Sequence, residues 1–147
     1  MQEVHLLSRL RHPSIATIMG AVVDNKSPML VMEYMPMGSL YDVIHNPTIH
    51  MDGDMIIDIL GDITQGMRFL HASIPQVIHG DLKGQNVLVD SQFRAKVADF
   101  GLAHKTLAVG CGTPYWMSPE VLRGDSGNTS ASDVFSFGGK VALWSAS

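Results

Sequence analysis

Apolar and polar positions along this chain follow two different patterns, helical spacing and short apolar runs, and each predicts a different kind of element. Glu3 to Arg11 sets Val4, Leu7 and, beside them, Leu6 and Leu10 on one helical side, with His12-Pro13 as the stop. Ile18–Val23 and Met29–Glu33 are short apolar runs, and Asp24-Asn25-Lys26-Ser27-Pro28 between them predicts a hairpin turn. Beyond Pro36 and Gly38 the pattern becomes mainly helical. Ser39 is placed to cap a short helix through Ile44, and a longer helix is expected over Asp54–His71 despite Gly61 and Gly66. Val77–His79, Val87–Val89 and Ala95–Ala98 are brief strand candidates, better suited to positioning loops than to forming a sheet of their own. From Ser130 to Trp144 helical spacing returns through Val134, Phe135, Phe137, Val141 and Leu143, weakened by Gly138-Gly139.

Composition narrows the class. Of the 147 residues, 46% are hydrophobic and 16% charged, which suits a packed globular chain and excludes a charged coiled coil or a disordered polyelectrolyte. A formal charge of −4 gives no basic surface for nucleic acid. A single cysteine closes no internal disulfide, and the seven histidines are scattered, so neither a disulfide framework nor a zinc cluster is expected. With no apolar stretch of membrane-spanning length and no export signal after Met1, the expected setting is cytoplasmic, without a membrane segment.

The chemistry gathers in two polar stretches, His79-Gly80-Asp81-Leu82-Lys83-Gly84-Gln85-Asn86 and Asp99-Phe100-Gly101, separated by a strand and a turn. A carboxylate such as Asp81 can orient a hydroxyl and receive its proton, Lys83 can neutralise phosphate, and Asn86 with Asp99 can offer oxygen ligands to magnesium. Singly, each of these residues reads as a turn, a cap or a solvated surface group. In this order they form a set suited to phosphoryl transfer.

These stretches, together with Glu3, Gly112-Thr113-Pro114-Tyr115-Trp116-Met117-Ser118-Pro119-Glu120 and Asp133-Val134-Phe135-Ser136-Phe137-Gly138, follow the order and spacing of a protein kinase. The chain resembles the tyrosine-kinase-like branch of serine/threonine kinases over essentially its whole length. The resemblance implies an α+β, partial two-lobed kinase-like fold. Residues 1–35 would be the small-lobe remainder and hinge, and 36–147 a partial, mainly helical large lobe. It implies ATP and magnesium as cofactors, a protein substrate, and regulatory protein partners. Asp81 is then expected as the catalytic base or hydroxyl-orienting group, Lys83 as the phosphate-steadying cation, and Asn86 and Asp99 as the metal ligands. Met32 resembles the gatekeeper, Glu33-Tyr34-Met35 the hinge whose backbone pairs with adenine, and Leu88 the floor of the adenine pocket. Leu7, Ile18, His79 and Phe100 match the packed column between the lobes, so core packing is preferred over acid–base chemistry for His79.

Departures from the family pattern, and the residues around them, shape the expectations. Gly80 stands where many members carry arginine, so a phosphorylated activation loop would lack that clamp. Thr106 is the candidate phosphorylation site, while Thr113 resembles the residue bracing the peptide platform against Asp81 and Lys83. Cys111 has no paired thiol or activating partner in the sequence and is read as an ordinary thiol. Ser118 replaces the family's alanine before Pro119-Glu120, and Glu120 is expected to be a buried acid requiring an arginine. The glycine-rich phosphate loop, the strand lysine that would pair with Glu3 and the end of the large lobe are not found in the sequence. The alternative to a kinase is therefore a truncated, noncatalytic pseudokinase-like interaction module.

Overall fold

The computed structural model describes residues 10–22, 29–99 and 112–141, with Lys140 and Val141 described by their backbone alone. The expected first helix, the hairpin turn, Thr106, Cys111 and the chain beyond Val141 lie outside the described residues. The architecture is α+β and kinase-like: a small antiparallel β region followed by a larger, mainly helical one.

Strand β1 (Ile18–Val22) pairs antiparallel with β2 (Met29–Met32), as the apolar runs predict, with an irregularity between Ile18 and Gly20. The linker after β2 leads into α1 (Leu40–Ile44). Its start carries a reciprocal capping box: Asp42 N–H donates to Ser39 Oγ at 3.1 Å, and Ser39 N–H donates to Asp42 Oδ2 at 2.9 Å. Helix α2 (Gly53–Ala72) opens on Asp52, whose Oδ1 accepts the Met55 amide at 2.8 Å. Ile59, Ile63, Met67 and Leu70 recur on one side of it at helical spacing and are buried with Ile15, Val97, Leu82 and Val87.

Strands β3 (Val87–Val89) and β4 (Ala95–Val97) form a second two-stranded ladder, with Val87 opposite Val97 and Val89 opposite Ala95. Both of its edges are occupied. Met37 N–H donates to Val89 O and Val89 N–H to Gly38 O, while Val97 exchanges bonds with Ser14 and Ala16 on the other side. A strand too short to stand alone is thereby tied to the linker and to the chain before β1.

Helix α3 (Pro119–Arg123) follows a 3₁₀ turn at Pro114–Trp116, and α4 (Ser130–Ser136) starts on a Thr129/Ser132 capping box. The tail differs from its expected continuous helix: from Phe137 to Val141 it widens into a π turn. Gly138-Gly139 lies in that turn, where two residues of weak helical preference let the hydrogen-bond spacing change. Val77–His79 is not a strand. Its backbone bonds go elsewhere, Val77 N–H to Leu70 O and His79 N–H to the Asp133 carboxylate, so no ladder forms there.

Candidate active site

The loop from His79 to Asn86 is fixed from beneath by two buried side chains. Asp133, in the first turn of α4, is 2% exposed and receives three donors. His79 N–H reaches its Oδ2 at 2.9 Å, Gly80 N–H its Oδ1 at 2.9 Å, and His71 Nε2 lies 2.8 Å from Oδ2. A buried carboxylate thus satisfies loop amides that have no strand partner.

His79 is completely buried, and its two ring nitrogens face opposite groups. Nε2 donates to Ala98 O at 2.9 Å, and Nδ1 accepts the Asp81 amide at 3.2 Å, which assigns the neutral tautomer protonated at Nε2. Burial holds its pKa below the ordinary histidine value, against the pull of Asp133 and Ala98. The ring packs and positions, as the sequence reading holds; Ile18 of the expected column is buried too, while Leu7 and Phe100 lie outside the described residues.

Above this base, Asp81, Lys83, Asn86 and Thr113 converge. Asp81 Oδ1 accepts from Thr113 N–H at 2.9 Å and from Thr113 Oγ1 at 2.6 Å, while Lys83 Nζ stands 2.8 Å from Oδ2. Lys83 also donates to Thr113 Oγ1 at 2.7 Å, closing a triangle of carboxylate, ammonium and hydroxyl. Burial alone would raise the Asp81 pKa, but the bonds from Lys83 and Thr113 outweigh it and hold the group below the usual carboxylate range. Asn86 Nδ2 donates to Asp81 O at 2.8 Å and to Asp81 Oδ2 at 3.2 Å. With its amide nitrogen so occupied, the carbonyl oxygen is the atom of Asn86 able to serve as a metal ligand.

Glycine geometry allows this convergence. Gly80 has φ of 78° and Gly112 has φ of 130°, both in the region that side chains rarely adopt. A Cβ on Gly112 would also stand 2.8 Å from Gly80 O, so the bond from Thr113 to Asp81 requires backbone meeting backbone.

Asp99 follows Ala98 at the end of the β4 segment. Its neighbour Ala98 donates its amide to Asn86 O at 2.9 Å and accepts from His79 through its carbonyl, so β4 delivers Asp99 to the loop by two bonds. Asp99 itself is exposed and holds φ of 57°, a left-handed conformation that Asp tolerates better than most residues. Among the described residues no group of three or more His, Cys, Asp or Glu side chains could hold a metal ion. Magnesium needs no such cluster, since that ion keeps waters and takes phosphate oxygens alongside one or two protein ligands.

At the linker, Met35 is buried and Met32 and Leu88 partly so. Leu88 bridges to Ser39, and Gly38 N–H donates to Met35 O, which brings the linker against β3. Glu33 turns its carboxylate towards Thr17 N–H at 2.7 Å and Lys96 Nζ at 2.7 Å. Glu120 is partly exposed, which corrects the expectation of a buried acid. His71 and Lys96 escaped the sequence reading: each acts through a partner more than sixty positions away, and no local spacing marks such a pair.

Residues 1–144 match the protein kinase domain family, and the chain belongs to that family. It is 44% identical over 151 aligned residues to "Probable serine/threonine-protein kinase drkC" of Dictyostelium discoideum, covering 97% of this chain and 20% of that protein. It is also 40% identical to the serine/threonine-protein kinase CTR1 of Arabidopsis thaliana, covering 98% of this chain and 18% of that protein. The chain thus spans about a fifth of the length of these relatives.

Proposed function

We propose that this chain carries the catalytic loop, hinge and metal ligands of a protein serine/threonine kinase of the tyrosine-kinase-like branch, one that transfers the γ-phosphate of ATP to a protein hydroxyl. The observation that carries the reading is the triangle of Asp81, Lys83 and Thr113, with Asn86 bonded to Asp81 and Ala98, the residue before Asp99, bonded to Asn86. In this reading residues 1–35 belong to the small lobe and hinge, 36–147 belong to the large lobe, and the setting is cytoplasmic. No helix among the described residues is long and apolar enough to cross a membrane.

Asp81, held ionised by Lys83 and Thr113, accepts a hydrogen bond from the substrate hydroxyl and aims its oxygen at phosphorus. A carboxylate of lowered pKa is a weak base, so orientation comes first; the bond from the γ-phosphorus to the bridging oxygen breaks, ADP leaves with that oxygen's electron pair, and the hydroxyl proton arrives at Asp81 as the new P–O bond matures. Lys83, poised on Asp81, can swing its ammonium charge onto the transferred phosphoryl oxygens. Thr113 holds both groups in register and presents the segment that follows it, where Tyr115 is exposed, to a substrate chain. Asn86 and Asp99 would hold magnesium, whose charge neutralises the phosphates. The backbone at Glu33 and Met35 would pair with adenine, against Met32 and Leu88.

The test is transfer of radiolabelled γ-phosphate from ATP to a serine/threonine peptide library. Asp81→Asn should lower transfer by about 10²–10⁴-fold while leaving nucleotide binding in place. Retained turnover in that variant would refute the role of Asp81. Binding of ATP by the unsubstituted protein with no transfer at all would favour a noncatalytic interaction module.

A further inference from the structure

Glu33 sits where β2 passes into the linker, and its side chain joins two other segments instead of facing a ligand. One carboxylate oxygen accepts the Thr17 amide at 2.7 Å, and the other meets Lys96 Nζ at 2.7 Å. Its backbone N–H also donates to Thr17 O at 3.0 Å, so the residue is clamped to the start of β1 by both main chain and side chain. Lys96 is the middle residue of β4, three positions before Asp99. The pair is mostly withdrawn from water, with the Lys96 side chain 20% exposed and that of Glu33 26%. Such an ion pair is screened less than a surface one.

From these contacts we infer that Glu33 and Lys96 form a strut that fixes the strand carrying Asp99 against the linker, making both of them positioning residues for the metal ligand. The inference rests on the kinase reading for what Asp99 holds, and on geometry alone for the strut. β4 is otherwise anchored by its ladder with β3, by backbone bonds to Ser14 and Ala16, by the Ala95 amide to Asp62, and by Ala98 to the catalytic loop. Those contacts place Asp99 relative to Asp81 and Asn86. The ladder reaches the later part of the linker through β3, whose Val89 bonds Met37 and Gly38, whereas the strut joins β4 directly to the start of the linker, where the far end of a nucleotide would lie. Glu33 therefore contributes through its carboxylate to phosphate geometry, a role separate from any bond its main chain makes to adenine.

Two measurements on Glu33→Gln, Lys96→Met, the double variant and Lys96→Arg decide the matter. Amide hydrogen exchange at Ala98 should quicken by roughly threefold to tenfold in the first three and little in Lys96→Arg, with the Leu70 amide of the core unchanged. Binding of ATP should weaken by roughly threefold to tenfold in the presence of magnesium, equally in both single variants and the double, and stay unchanged in a chelator. Unaltered Ala98 exchange would overturn the strut. Equal loss of affinity with and without magnesium would overturn the positioning role and make Glu33 a direct contact to the nucleotide. An unsubstituted chain that binds no ATP would refute the kinase reading, while the exchange result would still decide the strut.

Discussion

At the residue scale, Ser118 shows what a small departure from a family pattern does physically. It stands at the start of α3, 1% exposed, and its Oγ is buried with no well-formed hydrogen bond among the described residues, although it helps to hold the Glu120 carboxyl below its ordinary pKa. A buried hydroxyl without a well-formed bond costs stability, and because Glu120 is partly exposed, alanine at this position would leave its carboxylate to water. Ser118→Ala should therefore raise unfolding stability by about 1 kcal/mol, read as a shift of the urea midpoint at constant slope. A lower midpoint would show that the hydroxyl has a partner in solution. Gly80 is the opposite case, where the departure matches local geometry. Its φ of 78° and its amide bond to Asp133 set the loop conformation without a side chain, and the charge an arginine would bring is absent there.

At the element scale, α2 carries two glycines that the pattern of apolar residues cannot tell apart. Nothing stands within 4 Å of a Cβ built on Gly61, whereas one on Gly66 would meet Ser14 O at 2.6 Å, Val97 Cγ2 at 3.1 Å and Ile15 Cδ1 at 3.3 Å. Ser14 O cannot retreat freely, because it accepts the Val97 amide that anchors β4. Gly61→Ala should stabilise the protein by about 0.5–1 kcal/mol through helix propensity, and Gly66→Ala should destabilise it by about 1–3 kcal/mol through overpacking. Thermal unfolding of the two variants checks the opposite signs. The same limit of local pattern explains the elements that were misread. Val77–His79 has strand-like composition, but the amide of His79 is taken by a carboxylate 54 positions further on. The hairpin and the capped helices were legible because their signals are local: apolar runs, Ser39 three residues before Asp42, and Asp52 opening a long amphipathic stretch.

At the scale of the whole molecule, the buried titratable groups give stability a definite direction with pH. His79 is kept neutral by burial, so its folded pKa lies below that of the unfolded chain, and stability should begin to fall as pH drops below roughly 6.5. A second decline should follow below roughly pH 4, as Asp62, Asp81 and Glu33 are driven through their lowered folded values. In each of these carboxylates burial acts to raise the pKa, and the bonds from Arg94, Lys83 or Lys96 outweigh it. For Asp62 those bonds are Arg94 Nε at 2.8 Å and the Ala95 amide at 3.0 Å. Urea unfolding across a pH series should show both declines, and Asp62→Asn should shrink only the lower one. A single decline confined to the lower range would contradict the buried, neutral state of His79.

The order of side chains along the chain, by itself, determined which residues are candidates for chemistry and much of the local structure that carries them. Asp81, Lys83, Asn86, Asp99 and Thr113 were each legible, because their types and spacing are properties of the linear chain. What only the tertiary structure decided is who meets whom. Thr113 lies 32 positions from Asp81, Asp133 lies 54 from His79, and Lys96 lies 63 from Glu33. No spacing rule relates such residues. Their meeting depends on the packing of α2 beneath β4, on the close approach of Gly112 to Gly80, and on the closing of long loops whose cost only the assembled core offsets.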